Sequence, residues 1–468
     1  MEEYLHFIIT ILVLGLLVTF HELGHFLVAR YFGVKIDKFS IGFGPRIFSI
    51  KKGQTEYTIS LIPLGGYVKM KGENPDFDEE DKSLIVDDSD SFSSKLWWQR
   101  ALIAFAGPFF NIILAVMLFF ISYSIGRTYN DFLPIIEKAE IPYEKFFQTG
   151  DKILTINGKE IIGWTDIYKN IKDKNENSFL ITRKDANQSM SKKLEISIFI
   201  NDKISFFNSL YPVTKNVIGE VSPGMPAWKA GLQENDKILK VNNISVNNWT
   251  EVRTEIQNSQ TDYIDLLIER VIEGMPKLLE VKVKSISNPL EDNKQDKQAS
   301  KMIGISQAMD VSYYQRNTIY ESVKLSVYTT AAFIYMNYKA LYSLAKNPSS
   351  FKDSIGGPVM VFSMTSQSSK RGFSELLMFV ASISILLMIM NLLPIPILDG
   401  GHIIYCLIEG IFKKPIPRKI QIISQQIGFL LLISLMLYAF YSDFDRLFQR
   451  TISKNKQVEE QSNINIKH

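Results

Sequence analysis

The first apolar segment of the chain contains a cluster of ionisable residues. Residues 5–29 are nearly all apolar, yet they include the run His21-Glu22-Leu23-Gly24-His25. A carboxylate and two imidazoles cost several kcal/mol in hydrocarbon unless they are paired or bind a metal ion. The segment must therefore fold so that these side chains face protein or a metal, which makes them candidates for a functional site.

The spacing of the two histidines predicts which metal they would bind. On a helix, His21 and His25 are four residues apart and project from one face, so both imidazoles could hold one zinc ion. Glu22 lies beside them, where it could accept a proton from an attacking water molecule. A pair of buried, hydrogen-bonded histidines is the structural alternative, but idle charge in lipid is costly and favours the metal site.

Hydropathy predicts a membrane protein. Four very apolar stretches, at about 5–29, 101–126, 373–397 and 420–441, are long enough to cross or nearly cross a bilayer. The lipid bilayer is therefore an expected partner. The formal net charge of +3 gives no support for binding to nucleic acid.

Basic residues beside the apolar stretches predict the orientation. Arg30, Lys35 and Lys38 follow the first stretch, and a basic cluster at 413–419 precedes the last. Because positive residues favour the cytoplasmic side, both termini are expected outside the cytoplasm. Basic residues after the last stretch, at 446–456, favour the opposite orientation.

A second polar motif ends the third apolar stretch. Residues 391–401 contain Pro394 and Pro396, which interrupt a helix, and one acidic residue, Asp399. Broken backbone at membrane depth is tolerated only beside protein or a water-filled cavity. An ordinary turn in a surface loop is the alternative. However, the first and third spans run in the same direction, which brings Asp399 to the depth of the histidine pair and predicts it as the third zinc ligand.

The stretch at 318–346 is less apolar than the four predicted spans. It contains Lys324 and Lys339. A crossing here would put Asp399 on the wrong side of the membrane relative to the histidines. We therefore predict an amphipathic helix on the membrane surface, with a fifth span as the alternative.

Together these motifs resemble the site-2 protease family of intramembrane zinc metalloproteases, specifically the regulator-of-sigma-E protease type with tandem PDZ domains. The resemblance extends over nearly the whole chain. The further matching segments are 40–44, 63–70 and 107–111.

The resemblance implies a function and a set of site residues. Zinc would be held by His21, His25 and Asp399, with Glu22 as the general base, and residues 107–111 would line the catalytic core. The implied substrate-binding residues are Gly65, Gly66, Tyr67, Asn391 and Pro394. The implied substrates are membrane-spanning segments of single-pass proteins, of the anti-sigma-factor type, with remnant signal peptides as a second class. The implied location is the bacterial inner membrane, with the PDZ domains periplasmic and the zinc site near the cytoplasmic side.

Alternating residues predict a β-hairpin over 36–72. Thr55–Ile62 alternates between apolar and polar residues, and Lys51–Gln54 forms a plausible turn. The family resemblance implies a hairpin that enters the membrane, whose strand edge could capture an unwound substrate by β-addition. A small structural sheet is the alternative. Residues 73–98 read as an acidic and polar connector.

The segment between the second and third spans contains an internal repeat. Asp151–Asn157 recurs as Asp236–Asn242, and Trp164-Thr165 recurs as Trp249-Thr250, both with an offset of 85 residues. A period of this length corresponds to a small domain. The sequence therefore predicts two copies of one fold.

The second copy carries the more complete motif. Its stretch Val221–Leu232 resembles bacterial PDZ domains, which bind peptide ends by adding a strand to a sheet edge. The first copy lacks the corresponding Pro-Ala and Ala-Gly elements, so peptide binding is expected only of the second. The family resemblance implies that the pair acts as a size filter, with structural spacing as the alternative.

The sequence therefore predicts a polytopic α-helical membrane protein with four transmembrane helices, a membrane-associated β-hairpin and two inserted α+β PDZ domains. The predicted segments are transmembrane helices at 4–29, 100–126, 373–401 and 419–441, the hairpin at 36–72, connectors at 73–98 and 288–316, PDZ domains at 128–212 and 213–287, the surface helix at 318–346 and a tail at 442–468.

Two other functions fit part of this pattern. A non-catalytic PDZ membrane scaffold would be expected to lack a ligand or the base, whereas this chain has all four residues. A metal transporter would need polar residues along several spans, and the second and fourth spans have few.

Overall fold

The computed structural model describes residues 2–72, 89–184, 191–287, 301–346 and 357–465. Most of the predicted connector at 73–98 and residues 288–300 of the connector at 288–316 lie outside this range. The described residues form two compact units, each considered by itself below. The first contains residues 2–72, 89–127, 316–346 and 357–443, and the second contains most of the others, including 128–184, 191–287 and 301–315.

The helices are α1 (Glu2–Tyr31), α2 (Trp97–Ile125), α3 (Trp164–Asn170), α4 (Lys203–Asn208), α5 (Pro226–Lys229), α6 (Trp249–Asn258), α7 (Ile319–Lys346), α8 (Pro358–Lys370), α9 (Phe373–Asn391), α10 (Asp399–Phe412) and α11 (Arg418–Asn465). A short 3-10 helix covers Tyr143–Lys145.

The first nine strands are β1 (Ile36–Lys52), β2 (Thr55–Met70), β3 (Arg127–Asp131), β4 (Ile136–Ala139), β5 (Lys152–Ile156), β6 (Lys159–Glu160), β7 (Asn175–Lys184), β8 (Ser191–Ile200) and β9 (Leu210–Pro212). The others are β10 (Ile218–Val221), β11 (Lys237–Val241), β12 (Ile244–Ser245), β13 (Tyr263–Ile272), β14 (Met275–Lys284), β15 (Ile286–Ser287), β16 (Lys301–Met302), β17 (Ile305–Gln307) and β18 (Val311–Gln315).

Among the described residues, four helices are long and apolar enough to cross a membrane. They cover Ile8–Tyr31, Trp97–Ile125, Phe373–Asn391 and Lys419–Phe448. These are the four helices that the sequence predicts as spans, and several β-sheets accompany them. The predicted class, a membrane protein with β domains, is confirmed at this level.

Helix α2 lies at the centre of the first unit. Its buried residues Leu114 and Phe119 pack with Leu17 of α1 and with Ala381 and Ile385 of α9. Because lipid is as apolar as these side chains, close packing rather than burial from water must hold the helices together. At Gly24 of α1, a Cβ would overlap the backbone carbonyl of Ala106 on α2, so the two helices approach very closely there.

Helix α7 packs against α2 in the first unit. The backbone amide of Asn317, just before α7, donates to the carbonyl of Tyr123, and the ring of Phe333 contacts Phe119. Among the described residues, α7 is not one of the four helices that are long and apolar enough to cross a membrane. Its position on the membrane surface stays a prediction.

Strands β1 and β2 form a hairpin that folds back on itself. Residues 38–41 of β1 pair with 56–59 on one side and with 66–69 on the other. The bend in β1 lies near Gly42 and Gly44, whose φ angles of +90° and +84° suit glycine. The sheet therefore has four short segments, and residues 66–70 of β2 form one of its edges. The alternation that predicts a hairpin over 36–72 does not predict this bend.

The third span differs from the prediction in where its helix ends. Helix α9 stops at Asn391, residues 392–398 are irregular, and Asp399 begins the new helix α10. The sequence predicts Asp399 at the broken end of the span, because the two prolines obscure the helical pattern that begins after them. Helix α11 also continues into the predicted tail at 442–468, since it remains helical to Asn465.

The second unit contains two sheets with the same topology. Their strand orders are β6-β5-β7-β8 and β12-β11-β13-β14, and each sheet has its own apolar core. In each repeat a buried aspartate at the start of the first long strand pairs with an arginine. These pairs are Asp151 with Arg183 and Asp236 with Arg270.

The second repeat extends past its predicted end at residue 287. Strand β17 pairs with β10, and Ile303 is buried in the core of this repeat. Residues 301–315 contain three short strands, although the sequence analysis assigned them to a polar connector. Their apolar residues are too few and too widely spaced for a clear strand pattern, so their polar surroundings dominate the sequence.

Candidate metal centre and active site

Three side chains from two helices meet in the first unit. His21 and His25 project from one face of α1, and their Nε2 atoms are 3.2 Å apart. Asp399, the first residue of α10, places Oδ2 3.2 Å from Nε2 of His21 and Oδ1 3.5 Å from Nε2 of His25. The structure thus brings together the three residues that the sequence analysis proposed as ligands.

The spacing of these atoms suits a zinc ion. Tetrahedral zinc with bonds of about 2.0–2.2 Å separates neighbouring donor atoms by roughly 3.3 Å. Nε2 of His21 lies 3.2 Å from both Nε2 of His25 and Oδ2 of Asp399, close to this value, and with one donor atom from each residue all three lie within 4.8 Å of one another. Two imidazoles and one carboxylate also form a common donor set of catalytic zinc sites, in which a fourth position stays open. The donors therefore fit zinc.

The backbone of α2 orients one of the histidines. Nδ1 of the buried His25 lies 2.8 Å from the carbonyl oxygen of Ile103. A carbonyl can only accept, so Nδ1 donates its proton and Nε2 keeps a free lone pair for a metal. This hydrogen bond links a backbone group of α2 to the metal centre.

Glu22 lies beside the metal centre without joining the ligand set. It lines the same cavity of about 240 Å³ as the histidine pair and Asp399. The backbone amide of Val68 on β2 hydrogen-bonds to its carboxylate. A Cβ at Gly66 would lie 3.3 Å from Cγ of Glu22, so the edge of the β-sheet packs directly on this residue.

The predicted substrate-binding residues divide into two groups. The side-chain nitrogen of Asn391 lies 3.4 Å from Nε2 of His21, and Tyr67 lines the cavity. Gly66 contributes through its contact with Glu22. Gly65 instead faces the ring of Phe43, and Pro394 is exposed in the irregular segment between α9 and α10. Neither of these last two lines the cavity among the described residues.

Sequence reasoning missed three contributors to the site. His402 lines the cavity from α10, one helical turn after Asp399. Its position would have been visible from the spacing of three residues if α10 had been anticipated. The carbonyl of Ile103 and the amide of Val68 carry no sequence signal, because every residue has these groups.

Comparisons with known proteins agree with this geometry. The model of peptidase family M50 matches residues 9–435 of the chain. A regulator of sigma E protease from Haemophilus influenzae is 31% identical over 455 residues, which cover 93% of this chain and 98% of that protein. Protease RseP from Yersinia pestis is 30% identical over 466 residues, covering 93% and 98%. The matched range includes every residue that meets in the cavity.

Proposed function

Because the chain belongs to peptidase family M50, whose members are zinc-dependent hydrolases of peptide bonds, we propose that it cleaves the membrane-spanning segments of single-pass proteins. The observation that carries this proposal is the meeting of His21, His25 and Asp399 at a helix long and apolar enough to span a membrane. Soluble substrates would not require such a location.

The chemistry follows from the positions of the side chains. When bound, zinc polarises the scissile carbonyl and lowers the pKa of a water molecule toward ~7. Glu22, held by the amide of Val68, accepts the proton from the attacking water and passes it to the leaving amine. Asn391, beside Nε2 of His21, is placed to donate a hydrogen bond to the substrate.

The edge of the β-sheet would hold the substrate for attack. A helical peptide bond is shielded by its own hydrogen bonds, so the substrate must unwind before cleavage. Residues 38–41 are paired on both sides, whereas 66–68 lie at an edge next to Glu22. An unwound segment could add to this edge as a further strand, with its peptide bonds beside the catalytic residues.

The two repeats of the second unit would act as PDZ domains. Their shared strand order and their paired aspartate and arginine support a common fold. We assign peptide-end binding to the second copy, and to the pair the role of a size filter against substrates that keep their extracytoplasmic domains. A spacer without peptide binding is the alternative.

The names of the relatives favour one substrate class. The Haemophilus influenzae protein is named a regulator of sigma E protease. For this chain we propose anti-sigma-factor-type substrates, with remnant signal peptides as a second class. We also propose a bacterial inner-membrane location, with periplasmic repeats and the metal centre near the cytoplasmic side, which the basic residues around 30–38 and 413–419 support.

The decisive experiment compares the purified wild type with Glu22→Gln in detergent. The substrate is a tagged single-pass protein truncated on its extracytoplasmic side. We expect cleavage by the wild type, its loss with a zinc chelator, and no cleavage by Glu22→Gln even though that variant retains zinc. Retained turnover in Glu22→Gln would reject Glu22 as the base.

Absence of cleavage by the wild type would favour a different function. If zinc is bound but several truncated substrates remain intact, the non-catalytic PDZ scaffold becomes the better description. Binding of the same substrates by wild type and Glu22→Gln alike would support that outcome.

A further inference from the structure

Asn111 of α2 is a buried polar residue beside the metal centre. Its side chain is fully buried, and its nitrogen Nδ2 lies 3.3 Å from Nδ1 of His21. Its oxygen Oδ1 is buried with no hydrogen-bond partner among the described residues. An unpaired buried polar atom is costly and needs a physical explanation.

Asn111 belongs to a row of α2 residues that faces the two histidines. Ile103, Gly107 and Asn111 are spaced four residues apart and therefore lie on one side of the helix. The carbonyl of Ile103 contacts Nδ1 of His25, and the amide of Asn111 contacts Nδ1 of His21. Gly107 between them has no side chain, which lets α2 approach both imidazoles. Each histidine thus meets one polar group of α2 at the same ring nitrogen.

When zinc is bound, His21 must be the donor in its hydrogen bond with Asn111. An imidazole that binds metal through Nε2 carries its proton on Nδ1 and donates it to an acceptor. An amide nitrogen cannot accept this proton, but an amide oxygen can. The two ends of an asparagine amide exchange by rotation of the side chain, and the surrounding network decides between them. Either orientation leaves the far end of the amide unpaired, so the contact with His21 decides.

We propose that Asn111 is a positioning residue whose Oδ1 accepts the Nδ1 proton of His21 and so holds Nε2 toward Asp399. This inference rests on the proposed ligand set. An asparagine orients the ring without adding charge to a site that already contains Glu22 and Asp399. The hydroxyl of Ser384 on α9 in turn donates to the backbone carbonyl of Asn111 at 2.8 Å, which ties this point of α2 to α9.

The test measures zinc affinity by competition with a chromogenic chelator in detergent, using the full-length protein. Replacing Asn111 by leucine keeps the size but removes the acceptor, so we expect zinc affinity to fall about 10–100-fold. Asn111→Asp keeps an acceptor, and carboxylates commonly orient zinc-binding histidines, so its affinity should stay within about threefold of wild type or increase. If Asn111 had a purely structural role, the buried carboxylate of Asn111→Asp would instead lower the zinc affinity.

The matched control is Ser384→Ala. It removes a buried hydrogen bond to the same residue without touching His21, so zinc affinity should change by less than about threefold. An unchanged affinity in Asn111→Leu, or an equal loss in Asn111→Asp, would overturn the proposal. If Asn111→Leu fails to fold, the result for Asn111→Asp decides alone.

A parallel variant separates this proposal from the ligand assignment. His21→Ala should lose zinc more completely than Asn111→Leu. If His21→Ala binds zinc normally, the ligand set itself is wrong. If His21→Ala loses zinc while Asn111→Leu does not, only the role of Asn111 is rejected.

Discussion

Gly107 on α2 lies so close to His25 on α1 that a Cβ at position 107 would overlap the imidazole Nε2. The same Cβ would lie 2.7 Å from Cε1 of His21. The absence of a side chain at one position therefore permits both imidazoles to turn toward Asp399. The candidate metal centre therefore depends on the packing of α2 as well as on the three candidate ligands.

Gly107→Ala should abolish zinc binding and cleavage although it adds only one methyl group. The added carbon would displace both imidazoles, and catalytic geometry tolerates little displacement. Metal analysis of the purified variant checks this. The control is Gly428→Ala on α11, where a Cβ would meet its nearest neighbour at an ordinary 3.4 Å. Normal zinc content in Gly107→Ala would show that α2 can move away.

Asp399→Ala should weaken zinc binding because a direct ligand is removed. The loss should exceed the roughly 10–100-fold loss expected when a residue that only hydrogen-bonds to a ligand is replaced. Cleavage should fall with it. Equilibrium dialysis against buffered zinc measures the affinity. Glu409→Ala provides a control on the same helix, since Glu409 pairs with Arg100 and does not line the cavity. Full zinc occupancy in Asp399→Ala would reject it as a ligand.

Arg270→Met should destabilise the second repeat by about 3–5 kcal/mol, because Asp236 would be left buried without an opposite charge. The corresponding Arg183→Met in the first repeat should cost less, since the Arg183 side chain is 25% exposed and that of Arg270 is 11% exposed. Urea-dependent proteolysis of the two repeats measures both effects.

A double variant tests the cause of that loss. Arg270→Met combined with Asp236→Leu should recover much of the stability, because no buried charge then remains. If the double variant is as unstable as Arg270→Met alone, the arginine stabilises the repeat through packing or through its bond to the carbonyl of Gly231.

Glu137 should make the second unit less stable as pH rises just above 4.5. Burial, and then the nearby charge of Glu251, raise the pKa of the Glu137 carboxyl above its ordinary value of 4.5. Between 4.5 and the raised pKa, the folded protein binds more protons than the unfolded chain, so stability falls as pH rises through this window. Glu137→Gln should reduce this slope.

Thermal unfolding at several pH values, followed by tryptophan fluorescence, measures the slope. The matched control is Glu160→Gln, which removes the same charge from an exposed position away from Asn248 and Glu251. An identical slope in wild type and Glu137→Gln would contradict the prediction.

The parts of the site that follow from residue type could be predicted from sequence. The spacing of His21 and His25 depends only on helical periodicity, and Asp399 stands out as an acid in a stretch that proline interrupts. The predicted location of these residues in a membrane-spanning segment follows from hydropathy. Each of these signals is local in the chain.

The parts that depend on backbone groups or on distant contacts could not be predicted. The carbonyl of Ile103 orients His25 only because α1 and α2 pack closely, and no residue type marks that carbonyl. The fold-back of β1 and β2 requires two pairings for the same residues, which a pattern of alternation cannot specify. Residues 301–315 form strands through partners far away in sequence.

The position of Asp399 on α10 also has a consequence for the order of synthesis. The two histidines on α1 are made first, and the carboxylate that joins them is made only after both repeats have been translated. During translation the nascent chain therefore lacks a complete set of donors while its first helices enter the bilayer. An incomplete peptidase of this kind cannot hydrolyse peptide bonds before its own second unit exists.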